Sequence, residues 1–358
     1  MRIFVAGSTG VLGRRIVPLL IGQGHQVTAL TRRSDQAGML RSLGAHPVLA
    51  DAFEPRPLAA AVRQAAPEAI IHQLTDLTGG SIAANAALRT RGTRNLIDAA
   101  HAACVHRVIS QSIAWAYLAG AKPAGEATPL DLGAAEPRRT TVHAVAALEQ
   151  ATREAAEWVV LRYGMLYGPD TWYEPGGSKA ANTRAGRLVI DDDVTSFVHV
   201  DDAAAAAVQA LTWPSGPVNI CDDEPAAGRQ WVPAFCQAVG APVPAGTSPA
   251  LASRGRAELT TAMPEPNWRG RRVTRHGKRD FAQCCQPPPS GMSSNDGVIR
   301  DRSARQGLAL QGHVTRSPSS AKRAAHSRRH SCRKHRPKPA VPWWQAFSAP
   351  SGLVTWTQ

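Results

Sequence analysis

The chain has 358 residues, 43% of them apolar, enough for one large or two ordinary domains with an ample core and too apolar for a wholly disordered chain. No run approaches the roughly 20 apolar residues of a membrane span, and Met1-Arg2 leads straight into an apolar run rather than a leader, so a cytoplasmic protein is expected. The formal charge of +14 does not describe the whole chain: 18 of the 41 basic and only 4 of the 27 acidic residues follow Met263, so positions 1–263 are neutral and nucleic acid is not an expected partner.

In chain order, apolar runs predict strands at Arg2–Ala6, Gln26–Leu30, His46–Leu49, Ala69–His72, Arg107–Ser110 and Trp158–Leu161. Amphipathic stretches between them predict helices at Val11–Ile21, Asp35–Leu43, Pro57–Gln64, Ala83–Ala102 and Val142–Ala155. Strict strand–helix alternation predicts an α/β fold, a Rossmann-type doubly wound parallel sheet over residues 1–163. From 164 to 263 Pro and Gly become frequent. Short strands at Ser196–Val200 and Pro217–Ile220 and helices at Asp202–Leu211 and Arg229–Val239 predict a smaller C-terminal substrate lobe.

After Met263 the periodicity collapses. Pro287-Pro288-Pro289 and the basic run from Arg328 to Arg336 have the composition of a disordered tail over 264–358. The abrupt enrichment in Arg, Ser, Pro, His and Trp is also what out-of-frame translation of a GC-rich gene yields, which would leave the substrate lobe incomplete. A nucleic-acid arm built on that run and Trp343-Trp344 is the alternative for the tail. Cys104, Cys221, Cys236, Cys284, Cys285 and Cys332 show no metal-ligand spacing.

Gly7-Ser8-Thr9-Gly10-Val11-Leu12-Gly13 follows the first strand and opens the first helix. Gly7 permits the tight turn, Gly10 lets a pyrophosphate approach the backbone, and Gly13 lets the helix lie close to the sheet. The helix N-terminus then offers free N–H groups and a positive dipole end. At the end of the second strand, where an acid would bind the ribose 2′-hydroxyl of NAD, stand Thr31-Arg32-Arg33. Two guanidinium groups suit a 2′-phosphate, so NADP(H) is the expected cofactor, with NAD as the alternative.

With Gly92-Thr93-Arg94-Asn95-Leu96, Leu161-Arg162-Tyr163-Gly164, Tyr167-Gly168-Pro169 and Phe197-Val198-His199-Val200-Asp201-Asp202 at their intervals, the chain resembles the NAD-dependent epimerase/dehydratase family, the extended short-chain dehydrogenases, over roughly residues 1–245. That resemblance implies Asp51 and Ala52 along the adenine, Gln73 and Leu74 bordering the ribose and nicotinamide, Ser110 and Ser112 beside the reacting carbon with Ser112 as a catalytic candidate, and Tyr163 lining the cofactor–substrate junction. It also implies pairing of two copies through the helices after the fourth and fifth strands. His199 reads as a packed residue at a strand-to-helix turn.

The resemblance breaks at the family's Tyr-x-x-x-Lys pair, whose lysine lowers the tyrosine pKa for proton exchange with a substrate oxygen. Counting back from Ala147-Leu148-Glu149, those positions hold Thr141 and Val145. The asparagine three residues before Gly92 is replaced by Arg89. Tyr117 is the first substitute proton donor to consider, with Tyr163 and His143 behind it. Two functions are therefore expected to compete: an NADP(H)-dependent oxidoreductase or epimerase acting on a small polar carbonyl or hydroxyl compound, such as a sugar derivative, and a non-catalytic NADP(H) sensor.

Overall fold

The computed structural model describes residues 1–77, 81–120 and 124–245. The tail readings, including the basic run and its nucleic-acid alternative, lie outside the described residues. In chain order the elements are β1 (Arg2–Ala6), α1 (Gly13–Gly22), β2 (Gln26–Thr31), α2 (Ala37–Ser42), β3 (His46–Leu49), α3 (Pro55–Ala65), β4 (Ala69–His72), α4 (Ile82–Ala87), α5 (Thr93–Ala102), β5 (Arg107–Ile113), α6 (Arg138–Thr152) and β6 (Glu157–Tyr163). There follow β7 (Met165–Tyr167), α7 (Ser178–Arg184), β8 (Val194–Thr195), β9 (Phe197–His199), α8 (Val200–Gln209), β10 (Gly216–Ile220), β11 (Ala226–Ala227) and α9 (Gly228–Ala238).

Seven parallel strands form the main sheet in the order β10-β6-β5-β4-β1-β2-β3. This is the doubly wound Rossmann-type arrangement. The chain runs outward from β1 through β2 and β3, then restarts at β4 on the other side of β1. The crevice between the two windings opens at the carboxyl ends of β1 and β4, where ligands bind in such sheets.

Burial on both faces explains why the strands read as continuous apolar runs. On one face Ile3, Val5, Ile71, Ile109 and Leu161 pack with Ile16, Val17 and Leu20 of α1 and the alanines of α8. On the other, Phe4, Ile70 and Val108 pack with Leu58 and Val62 of α3, Leu96 and Ile97 of α5 and Ala151 of α6. The alanine-rich sequence of α8 lets it lie close to α1 and the sheet.

Two features differ from the sequence expectation. The segment at Gly216–Ile220, assigned to the substrate lobe, returns to pair with β6 and is the seventh strand of the main sheet. The predicted single helix Ala83–Ala102 is interrupted by one π-helical turn, Leu88–Gly92, between α4 and α5. Such turns insert one extra residue into a helix and recur at functional sites.

Outside the main sheet, β7 pairs with β9 and β8 with β11. These strands, with α7 and α9, enclose a cluster of Tyr173, Phe197, Trp231 and Phe235. The rings meet edge-to-face at centroid distances of 5.5–6.0 Å, the arrangement their quadrupoles favour.

Candidate cofactor and substrate site

The glycine loop is defined by what a Cβ would strike. Gly7 has φ +92° and an added Cβ would lie 2.5 Å from the carbonyl carbon and oxygen of Gln73, so the loop passes directly over the exit of β4. At Gly13 a Cβ would lie 2.2 Å from the Gly7 oxygen and 2.6 Å from two backbone atoms of Ser8. Only glycine permits either approach. Ser8 is buried and its hydroxyl donates to the Leu30 carbonyl at 2.7 Å, tying the loop to β2.

Gly10 N–H donates to the Gly7 carbonyl at 3.1 Å, while Arg14 N–H reaches Gly10 and Ile16 N–H reaches Leu12. The N–H groups of Val11, Leu12 and Gly13 take no acceptor among the described residues, and the first turn of α1 carries no acidic side chain. That is an anion cradle in shape and polarity. Leu12 is itself buried in the core, and Thr9 and Val11 are half-buried at the rim.

At the tip of β2 the two arginines differ. Arg33 is paired with Asp35 at 2.5 Å, while exposed Arg32 makes no ion pair among the described residues. The bond to Arg33 holds the Asp35 carboxyl down at about 2. Beyond β3, Asp51 Oδ1 accepts from Phe53 N–H at 2.9 Å, and Asn95 Nδ2 donates to the Ala52 carbonyl at 2.8 Å. The Gly92–Leu96 segment thus braces the loop that holds Asp51 and Ala52.

At the tip of β4, Gln73 is buried and its backbone N–H donates to Ala6 at 2.7 Å, but neither amide atom of its side chain has a regular hydrogen-bond partner. The Tyr163 hydroxyl nearby donates to the Ala203 carbonyl at 3.3 Å, and burial raises its pKa. A buried amide with no partner but the Tyr163 hydroxyl, beside a glycine cradle, fits a ligand that completes both. The residues present therefore suit a dinucleotide. Leu74 N–H donates to His72 Nδ1 at 3.2 Å, and Thr93 Oγ1 lies 2.9 Å from His72 Nε2. Burial first, and then the charge of Arg89, hold the His72 pKa down at about 4, so the ring is neutral near pH 7.

The other sequence candidates join a buried polar network at the exits of β5 and β6. Glu149 of α6, 2% exposed, accepts from Arg162 Nε at 2.9 Å and Nη2 at 2.7 Å, and from Ser112 Oγ at 2.7 Å. Arg162 Nη1 donates to the Tyr117 hydroxyl at 2.8 Å and to the Glu126 carbonyl at 3.0 Å, and Tyr117 donates to Asn219 Oδ1 at 2.6 Å. Burial works against the Arg162 charge, but the bonds to Glu149 outweigh it and raise its pKa. Tyr117 is fully buried, and burial raises its pKa too. Ser110 accepts from Thr152 Oγ1 at 2.8 Å.

Ser112 and Tyr117 thus have partners inside the protein, whereas Gly7–Gly13, Gln73 and Leu74 meet at the crevice. At the remaining positions weighed for proton transfer, Val145 is fully buried among Ile113, Ala116 and Val142, and exposed His143 lies 3.1 Å from the Leu132 carbonyl. His199 accepts from Asp201 N–H at 3.3 Å and caps α8. Asp222, just past β10, has its pKa raised to about 7 by burial, with Asp202 and Asp223 adding to it against a hydrogen bond from Tyr167. The described residues contain no group of His, Cys, Asp and Glu able to hold a metal, and no helix among them is long and apolar enough to cross a membrane.

The described residues contain two features that sequence reasoning passed over. One is the Glu149–Arg162 pair, which joins α6 to β6 and gathers Ser112 and Tyr117 from 37 and 45 residues away. The other is Arg89, read only as a missing asparagine but in fact 5% exposed.

The comparisons agree with this geometry. The NAD dependent epimerase/dehydratase family model matches residues 3–221. A Streptomyces protein named 3-diazoavenalumate denitrifying reductase is 40% identical over 289 residues, covering 76% of this chain and 94% of its own. A Stigmatella aurantiaca protein named 4-hydroxy-2-methyl-3-oxo-4-farnesyl-3,4-dihydroquinoline-1-oxide ketoreductase is 27% identical over 279 residues, 74% of this chain and 80% of its own. The crystal structure of the Bordetella bronchiseptica enzyme WbmG with NAD and UDP superposes with a TM-score of 0.59 at 21% identity, covering 73% of this chain and 86% of that one, a likeness of fold. The chain belongs to the NAD-dependent epimerase/dehydratase family.

Proposed function

We propose that the chain is an NADP(H)-dependent reductase of a small polar substrate whose reduction needs no proton from a Tyr-Lys pair. The observation that carries the reductase reading is the 40% identity to a protein named a reductase, over 94% of that relative and 76% of this chain. The glycine cradle supports the dinucleotide, and unpaired Arg32 supports the 2′-phosphate over the bare hydroxyl. When bound, the reduced nicotinamide supplies the hydride.

The character of the hydride acceptor follows from α6. A ketone accepting hydride must also receive a proton on its oxygen, the task of a tyrosine activated by a lysine. Thr141 is too weak an acid for this and Val145 carries no charge. An aryl diazonium makes no such demand. The hydride pair forms the new C–H bond, the C–N pair leaves with dinitrogen, and no acid is consumed. The Streptomyces relative, named for denitrifying reduction of a diazo compound, supports this acceptor class.

A carbonyl or sugar-derived substrate is the second reading, favoured by the relative named a ketoreductase. The test follows NADPH oxidation by the full chain against a benzenediazonium salt and against a panel of ketones and aldehydes, with enzyme-free controls and dinitrogen measured by mass spectrometry. Turnover of the diazonium with one dinitrogen per NADPH is expected. Turnover of carbonyls alone would overturn the acceptor class, and silence with both, NADPH binding being intact, would leave the sensor.

A further inference from the structure

Arg89 sits in the π-helical turn between α4 and α5 and is 5% exposed. Among the described residues its guanidinium has neither an ion pair nor a hydrogen bond, whereas the comparably buried Arg162 has four hydrogen bonds. Glu149, on the α6 helix that packs against this turn, already accepts from Arg162 and Ser112. Burial works against the Arg89 charge and leaves its guanidinium only a narrow opening to solvent, so the site that holds it is incomplete until a counter-charge arrives through that opening.

Its place in the fold says where that charge would come from. As a crossover helix, α5 runs antiparallel to the strands, so its N-terminal end stands over their carboxyl edge. Thr93, at the start of α5, meets His72 at the last position of β4. Arg89 is one turn earlier on the same helical face, and so lies one turn further out, above the crevice and close enough for its charge to act on His72 at the end of β4. The pyrophosphate cradle lies instead at the mouth of β1. A neutral, buried His72 offers no charge to compete with the guanidinium.

We infer that Arg89 is the anion-recognition residue of the substrate end of the crevice, pairing its planar fork with the carboxylate of a small organic acid whose reducible group faces the cofactor. This rests on the dinucleotide reading above and names the substrate class: carboxylates. A bidentate guanidinium–carboxylate pair fixes orientation as well as position. It would hold one end of the acid while leaving the other free to present a reducible carbon.

The test uses the full chain, loaded with NADPH, and calorimetric titration of 4-hydroxycinnamate and benzoate against their neutral amides. The wild type is expected to prefer each acid over its amide by at least about tenfold, the scale of one charged hydrogen-bonded pair. Arg89→Met should abolish that preference, Arg89→Lys should retain part of it, and both should keep NADPH affinity near wild type. Without ligand, Arg89→Met should melt a few degrees higher, because it removes an unpaired buried charge.

Equal binding of acid and amide by the wild type, or an undiminished preference in Arg89→Met, would overturn the inference. So would a loss of NADPH affinity in Arg89→Met matching its loss of acid binding, which would assign the guanidinium to a cofactor phosphate. Failure of the wild type to bind NADPH at all would instead defeat the dinucleotide reading. The acid titrations of the unloaded chain would then decide Arg89 alone.

Discussion

Removing the Glu149 carboxylate is the most direct perturbation of the network behind the crevice. Glu149→Ala leaves Arg162, 3% exposed, without its counter-ion and frees the Ser112 hydroxyl. Leaving one member of a buried pair uncompensated costs about 3–5 kcal/mol, which for a fold of this size lowers the melting temperature by about 10 °C. Replacing both partners, as Glu149→Leu with Arg162→Met, should recover most of that loss, since the uncompensated charge goes with the pair. Urea unfolding of Glu149→Leu, Arg162→Met and the double variant measures the coupling. Ser112→Ala should cost only about 1 kcal/mol, the value of one neutral donor. If Glu149→Ala loses less than about 1 kcal/mol, or the double variant is as unstable as the single, the network does not hold the exits of β5 and β6 together.

Three further outcomes are expected. Arg32→Ser should weaken NADPH binding about tenfold and leave NADH unchanged, as one charge-assisted pair is lost; Arg33→Ser should do less, because Arg33 is held by Asp35. Equal loss for both cofactors in a fluorescence titration would remove Arg32 from the 2′-phosphate site. For pH, Asp222 has a folded pKa near 7 against an ordinary value of 3.8, so the folded state binds the extra proton and the Asp222 contribution falls as pH rises from about 4 to 7. Asp222→Asn should therefore gain on the wild type over that window, by up to about 1.4 kcal/mol per pH unit, and a pH-independent difference in urea midpoints would contradict this. His72 has the opposite sign: its depressed pKa means stability is lost as pH falls from 6.5 to about 4, so His72→Gln should flatten the acid limb of the stability profile.

Much of the scaffold was legible because its signals are local. A buried strand is an apolar run and the glycine spacing is a turn requirement, so β1, β3 and β4 fall on the bounds their patterns predict. The seventh strand escaped because Gly216–Ile220 is short and carries no mark of which sheet it joins. The π turn escaped because its residues preserve helical periodicity on both sides. The roles read for Ser112 and Tyr117 depended on what their hydroxyls would face, and that is settled by Glu149 and Asn219, which are 37 and 102 residues away. Arg89 shows the same limit. Its identity was plain, but burial without a partner is a property of three packed helices rather than of the segment that carries it.

Dinucleotide binding depends on the close backbone approach at the crevice, where a Gly13 Cβ would lie 2.2 Å from the Gly7 oxygen. Fluorescence titration of the full chain with NADPH, beside Gly13→Val, measures it most directly. Saturable micromolar binding by the wild type, lost in the variant while its far-ultraviolet circular dichroism is kept, is the predicted result. No binding by the wild type at millimolar NADPH or NADH, or unchanged binding by a folded Gly13→Val, would contradict it.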